Sequence, residues 1–340
     1  MKILNIGIPT YNRTKYASRL LDSINGIESE DFEITLSSNG VDKILREKCK
    51  GIKNCNYHEF EKNMGPGANF EYLFLNSKSK FTMLISDEDL ITCKESFLKF
   101  LDWLKLQNEK SRFILVNIDG RSDRPILDLY SSVGLSLKDI VYTGIPVSSY
   151  ITGFCISNKV GSDLIKSSFK FEGRSKAYGH LNLLLRELSN DRTLKATPFS
   201  GQNFIKEGDS AHEGGDAYPD GKRGLLNQEI YGLDARVDQL VFMINESRIL
   251  KLGLLEKLTF KLIMIHQHLP HIRLIDSDSA SKKARDRADI FQAFKKNIDF
   301  STKLSKTMQS FIILILYFRG DYLLKNLIGL IKKIYSIGRS

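Results

Sequence analysis

Phe81-Thr82-Met83-Leu84-Ile85-Ser86-Asp87-Glu88-Asp89-Leu90 is a short apolar run that ends abruptly in three consecutive acids. The Met-Leu-Ile core reads as a buried strand. Acids at the carboxyl end of a strand in an open α/β sheet stand where such sheets bind their ligands. In extended chain, Asp87 and Asp89 point the same way and can share one hard cation. Carboxylates, substrate phosphates and water are the ligands that Mg²⁺ or Mn²⁺ prefers. Taken by itself the run also reads as a solvated acidic turn behind a core strand, so its meaning rests on the loops around it.

Working outward, residues 2–8 form a second apolar strand, followed at once by Pro9-Thr10-Tyr11-Asn12-Arg13. Ala17, Leu20, Leu21 and Ile24 then recur at helical spacing. Strand, polar loop and helix make the first βα unit of a sheet whose loop faces the ligand crevice. Phe32-Glu33-Ile34-Thr35-Leu36 reads as the next strand and runs into Ser37-Ser38-Asn39-Gly40. A third loop, Asn63-Met64-Gly65-Pro66-Gly67-Ala68-Asn69-Phe70, precedes a helix through Leu73 and Leu75. Its two glycines allow a ligand close to the backbone.

Four motifs in this order, all within 90 residues and all at strand ends, resemble glycosyltransferase family 2, the inverting sugar-nucleotide transferases of the GT-A fold. The flavour is similar to the bacterial surface-polysaccharide branch of abequosyltransferase-like enzymes, and the likeness covers about residues 1–215. The resemblance implies an α/β GT-A fold, with a mixed central sheet flanked by helices and a helical carboxyl-terminal appendage. It implies transfer of a sugar from a nucleoside diphosphate sugar to a hydroxyl of a glycan or lipid-linked saccharide. Pro9, Thr10, Tyr11, Arg13, Ser38, Asn63, Gly65 and Asp87 would surround the nucleotide, and Asp89 with Asp87 would hold Mn²⁺ or Mg²⁺. Two positions depart from the pattern. Ser38 stands about where relatives carry a base-binding Asp, and Ala68 stands where an Arg often precedes the final Asn.

Farther along, Phe113-Ile114-Leu115-Val116-Asn117-Ile118 and Ile151-Thr152-Gly153-Phe154-Cys155-Ile156-Ser157 read as core strands, the latter followed by a helix from about Lys159. A strongly apolar helix over 177–188 opens with His180. Relatives place a Glu-Asp pair at the equivalent start, and His180 falls at about its Asp, the general base. Imidazole titrates near neutrality and can take a proton from an acceptor hydroxyl, yet a histidine that caps or packs a helix start would look the same. Glu172, in the preceding loop, is the reserve candidate. The Gly- and Asp-rich stretch 200–224 reads as a flap over the donor and acceptor. His212 and Glu213 within it lack metal-ligand spacing.

The sequence predicts a catalytic domain over 1–225, with a nucleotide-sugar half (1–110) and an acceptor half (111–225), followed by a helical region over 226–340. Charge divides along the same line. Residues 241–340 hold 18 Lys and Arg against 8 Asp and Glu, an excess equal to the whole chain's net charge of +10. In Tyr322–Tyr335 lysines alternate with an apolar stripe at helical spacing, as in helices that lie in a membrane interface. A helix docked on its own domain or at an oligomer contact would carry the same stripe. The expected partner is an anionic membrane surface rather than nucleic acid, with the protein peripheral on the inner face of the cytoplasmic membrane. No stretch approaches the roughly 18 apolar residues of a spanning helix, and Asn5 and Pro9 break any secretory-signal pattern at the start. Cys49, Cys55, Cys93 and Cys155 show neither zinc nor disulfide spacing, as expected of idle thiols in a reducing cytoplasm. Two other classes stay open: a sugar-phosphate nucleotidyltransferase, although Pro9–Arg13 is not its glycine-rich basic phosphate loop, and a catalytically degenerate transferase domain kept as a membrane-bound scaffold.

Overall fold

The computed structural model describes residues 1–108, 111–119, 136, 151–167, 183, 186, 187, 190, 191, 195–208, 253 and 256. The chain divides into two compact units, Met1–Ser136 with Pro146–Lys222 and Leu137–Ile145 with Arg223–Ser340. All described residues except Gly253 and Glu256 belong to the first. The helical region expected over 226–340 lies outside the described residues.

The strands are β1 (Leu4–Thr10), β2 (Phe32–Ser38), β3 (Cys55–Glu59), β4 (Phe81–Leu84), β5 (Leu90–Ile91), β6 (Phe113–Leu115), β7 (Phe154–Ser157), β8 (Thr197–Pro198) and β9 (Ile205–Lys206). The helices are α1 (Thr14–Ile24), α2 (Lys43–Lys50), α3 (Pro66–Asn76), α4 (Lys94–Lys105) and α5 (Asn158–Ser167). Seven strands form one sheet in the order β3-β2-β1-β4-β7-β6-β8, and β5 pairs with β9 in a small second sheet. In the large sheet β7 runs antiparallel to β4 and β6, and every other pairing is parallel. This is the mixed α/β sheet of the GT-A fold, flanked by helices.

The register follows from burial. Leu4, Ile6 and Ile8 are fully buried and sit beside Phe32, Ile34 and Leu36. The residues between them face the other layer, so β1 and β2 are covered on both sides, as parallel strands usually are. Asn5, which breaks the apolar run, is itself fully buried. It accepts from the Thr35 hydroxyl at 2.8 Å and donates to Thr82 Oγ1 at 3.3 Å, so its amide is satisfied across three strands.

Two elements fix the acidic run from below. On α4, Phe97, Phe100, Leu101 and Leu104 are buried at helical spacing. Phe97 and Phe100 pack on Phe204 at 5.4 and 5.1 Å between ring centres, and Phe100 and Trp103 pack on Phe199 at 5.0 and 5.2 Å. Aromatic pairs at such distances add to plain area burial, and here they clamp residues 199–204 under the sheet. The chain then continues as β9 along β5, immediately after the acids. The sequence reads all of 200–224 as a flap; its first part is instead this strand, held by Phe199 and Phe204. Residues 209–224 lie outside the described residues.

Candidate active site

Four loops, those after β1, β2, β3 and β4, meet at the carboxyl edge of the sheet. Thr10, the last residue of β1, is buried, and its carbonyl accepts from Asn39 N at 2.8 Å and from Asn69 Nδ2 at 3.3 Å. Asn69, near the start of α3, also accepts from the Ser37 hydroxyl at 2.8 Å. Asn39 Oδ1 accepts from Met64 N at 2.7 Å. Buried side-chain amides thus fasten the first, second and third loops to one another, each bond offsetting the desolvation of its polar groups. Asn69 belongs to the quoted third motif, but neither it nor Asn39 was singled out as a site residue from sequence. Only their burial shows that they organise the crevice.

Of the predicted nucleotide contacts, Pro9, Thr10, Tyr11, Arg13 and Ser38 gather at this edge. Tyr11 is half-buried, with its ring over Gly40. Asn12 adopts φ of +50° and turns the chain into α1. The Ser38 hydroxyl donates to Gly40 O at 2.7 Å, so its proton is committed to the loop backbone. Asn63 Oδ1 accepts from Gly65 N at 2.8 Å, and Gly65 caps α3 with Pro66 at its first position.

The acidic run is a turn, not extended strand: Asp89 N donates to Ser86 O at 3.1 Å. Alternation therefore does not aim Asp87 and Asp89 together, and the two carboxylates have different partners. Asp87 accepts from the Thr10 hydroxyl at 2.6 Å and from Arg13 Nη1 at 2.9 Å. Arg13 Nη2 lies 2.8 Å from Glu88, so one guanidinium spans two acids while its plane lies over the Tyr16 ring. Burial works against charge on Arg13, but Asp87 and Glu88 outweigh it and raise its pKa. Burial pushes Asp87 up from the usual carboxylate range, and Arg13 and Thr10 hold it back in part.

Asp89 is 0% exposed. Its Oδ2 accepts from the Thr152 hydroxyl and its Oδ1 from Gly208 N at 3.2 Å. Gly208 lies so close that a Cβ there would sit 1.7 Å from Glu88 O, and only glycine permits that approach. Burial pushes the Asp89 pKa up to about 7, Thr152 and Gly208 counter it, and Glu88 and Glu207 add to the rise. Among the described residues no basic group pairs with it. Nor do three or more His, Cys, Asp or Glu side chains among them group to hold an ion. A buried carboxylate with neutral donors and acidic neighbours fits the protein's share of a hard-cation site, the remaining oxygens coming from a diphosphate and water. Asp87, already bonded to Thr10 and Arg13, is the poorer ligand. His180, Glu172, His212 and Glu213 lie outside the described residues. Leu183, Arg186 and Glu187 are helical, within the helix expected over 177–188, and Glu187 pairs with Arg112.

Residues 5–155, which carry β1 through β7 and the whole acidic turn, match the family described as Glycosyl transferase family 2. The matched stretch is somewhat under half of the 340-residue chain. No curated protein matches the chain. Among solved structures it is similar to S. aureus TarS 1-349, with a TM-score of 0.59 at 16% identity over 99% of this chain and 92% of that one. A longer S. aureus TarS matches with a TM-score of 0.60 at 16% identity, over 96% of this chain and 54% of that one. The mannosyltransferase PcManGT from Pyrobaculum calidifontis, in complex with GDP-Man and Mn²⁺, matches with a TM-score of 0.51 at 9% identity, over 94% of this chain and 86% of that one. At such identities the likeness is one of fold, and the fold is GT-A.

Proposed function

We propose that the protein transfers a sugar from a nucleoside diphosphate sugar to a hydroxyl of a glycan, with inversion at the anomeric carbon. The observation that carries this reading is Asp89, a fully buried carboxylate without a basic partner among the described residues, in the turn after β4 within the stretch that matches family 2. Thr10, Tyr11, Ser38 and Asn39 line the β1 and β2 ends, where the nucleoside would lie. Arg13 holds Asp87 and Glu88 in place beside it. Asp89 would hold Mn²⁺ or Mg²⁺, which when bound neutralises charge on the diphosphate. The similarity to S. aureus TarS 1-349 in complex with UDP and to PcManGT with GDP-Man and Mn²⁺ supports a nucleotide-linked donor.

In the transfer itself, a base takes the proton of the acceptor hydroxyl, whose oxygen attacks the anomeric carbon opposite the diphosphate. The carbon–oxygen bond to the diphosphate breaks, and the nucleoside diphosphate leaves with the electron pair. His180 is the proposed base, with Glu172 in reserve. A lipid-linked saccharide on the inner leaflet, in surface-polysaccharide synthesis, would suit the basic stripe over 322–335, through which the protein would attach to the membrane. Proton NMR of the product formed from an α-linked donor tests the stereochemistry. A β-linked product is expected, and an α-linked product would overturn the inverting mechanism.

A further inference from the structure

Asp89 is bound by a residue 63 positions later in the chain. Thr152 is 1% exposed and stands at the turn into β7. Its hydroxyl accepts from Ser86 N at 2.8 Å and donates to Asp89 Oδ2. A hydroxyl carries one proton, so the acceptance from Ser86 leaves that proton directed at the carboxylate. Both ends of the acidic turn are therefore read by one atom.

The backbone around Thr152 is fixed independently. Gly153 N donates to Leu84 O at 3.0 Å, and Gly153 O accepts from Val116 N at 3.0 Å. Gly153 adopts φ of +81°, and a Cβ there would sit 2.4 Å from Val116 O. Position 153 thus admits only glycine, and the bonds on either side leave Thr152 little room to move. The hydroxyl is delivered to the acidic turn by the antiparallel half of the sheet, which ties the acceptor half of the domain to the donor half at Asp89.

We infer that Thr152 is a positioning residue for Asp89: its hydroxyl sets the rotamer in which the carboxylate presents an oxygen to the divalent cation. The inference rests on the reading of Asp89 as that cation's ligand. Packing alone does not account for the choice of residue, because valine has the same shape and would take from the half-buried Ser86 amide its acceptor and from Asp89 its hydroxyl donor.

The test is Mn²⁺ binding to the full chain with UDP or GDP present, followed by the electron paramagnetic resonance signal of free Mn²⁺ against a protein-free Mn²⁺–nucleotide control. Partners of this kind are worth about 10–100-fold in metal affinity. Thr152→Val should therefore bind Mn²⁺ at least about 10-fold more weakly, while Thr152→Ser, which keeps the hydroxyl and loses the methyl, should stay within about threefold of wild type. Melting curves in EDTA establish that each variant folds. Should Thr152→Val not fold, Thr152→Ser decides: retained affinity supports the role of the hydroxyl, and a 10-fold loss overturns it. Wild-type affinity in folded Thr152→Val overturns the inference alone. A wild-type protein that takes up no Mn²⁺ beyond the protein-free control with either nucleotide overturns the reading of Asp89, and the inference with it.

Discussion

Asp89 and Arg13 make opposite electrostatic statements in adjoining positions. Asp89 holds its proton up to about pH 7 in the metal-free fold, whereas an unfolded Asp releases it near 3.9. The folded state therefore binds more protons across that window, and stability of the metal-free protein falls as pH rises from about 4 to about 7. Over that whole window the decline amounts to about 4 kcal/mol. Urea unfolding in EDTA should show this decline in wild type and lose it in Asp89→Asn; equal pH profiles would refute the assignment. Asp87 depends instead on a charged partner. Arg13→Ala leaves this buried carboxylate with Thr10 alone, and breaking such a pair costs about 3 kcal/mol. A loss below about 1 kcal/mol in the same assay would mean that the pair is effectively solvated. Neither pairing was legible in the sequence, since Thr10 and Arg13 lie more than 70 positions from Asp87. The residue types were legible, and the partners were not.

At the scale of elements, β9 ties Asp119 and the chain after β8 to β5, directly behind the acidic turn. Thr92 N donates to Phe204 O at 2.9 Å, Asp119 N to Ile205 O at 2.9 Å and Glu207 N to Asp119 O at 2.8 Å. Gly208→Ala should lift this segment off Glu88, because its Cβ has no space. Hydrogen exchange at Thr92, Asp119 and Glu207 should then speed up while β1 and β2 stay protected; unchanged exchange would show that the segment tolerates the side chain. The sequence reaches β1, β2, β4, β6, β7, α1, α3 and α5 because each has a continuous apolar run or a clear helical stripe. It misses β3, whose Cys-Asn-Tyr-His-Glu is only half-buried at the sheet edge, and β8 and β9, two-residue strands made by tertiary pairing. The short, Lys-rich α2 buries only Leu45 and Cys49. For α4, the spacing of Phe97, Phe100, Leu101 and Leu104 carries a signal that a full helical scan would find.

For the whole molecule, the crevice loops and the acidic turn lie within residues 5–155, with Gly208 closing on Asp89, and the formal positive excess lies in residues 241–340. Among the described residues no helix is long and apolar enough to cross a membrane. Deleting 308–340 should release the protein from anionic vesicles and leave nucleotide binding intact. Each Lys or Arg near such a surface contributes about 1 kcal/mol, so attachment should weaken with salt. Full-length protein that ignores anionic vesicles in co-sedimentation would assign the stripe to an intramolecular or oligomer contact instead. The central claim is that the crevice around Asp89 takes a nucleoside diphosphate sugar with a divalent cation. It is tested most directly by screening a panel of nucleotide sugars for Mn²⁺-dependent slow hydrolysis by wild type and Asp89→Asn. The account predicts at least one donor that is hydrolysed with Mn²⁺, spared in EDTA and spared by Asp89→Asn; a panel wholly untouched, or hydrolysis that survives both EDTA and the substitution, would contradict it.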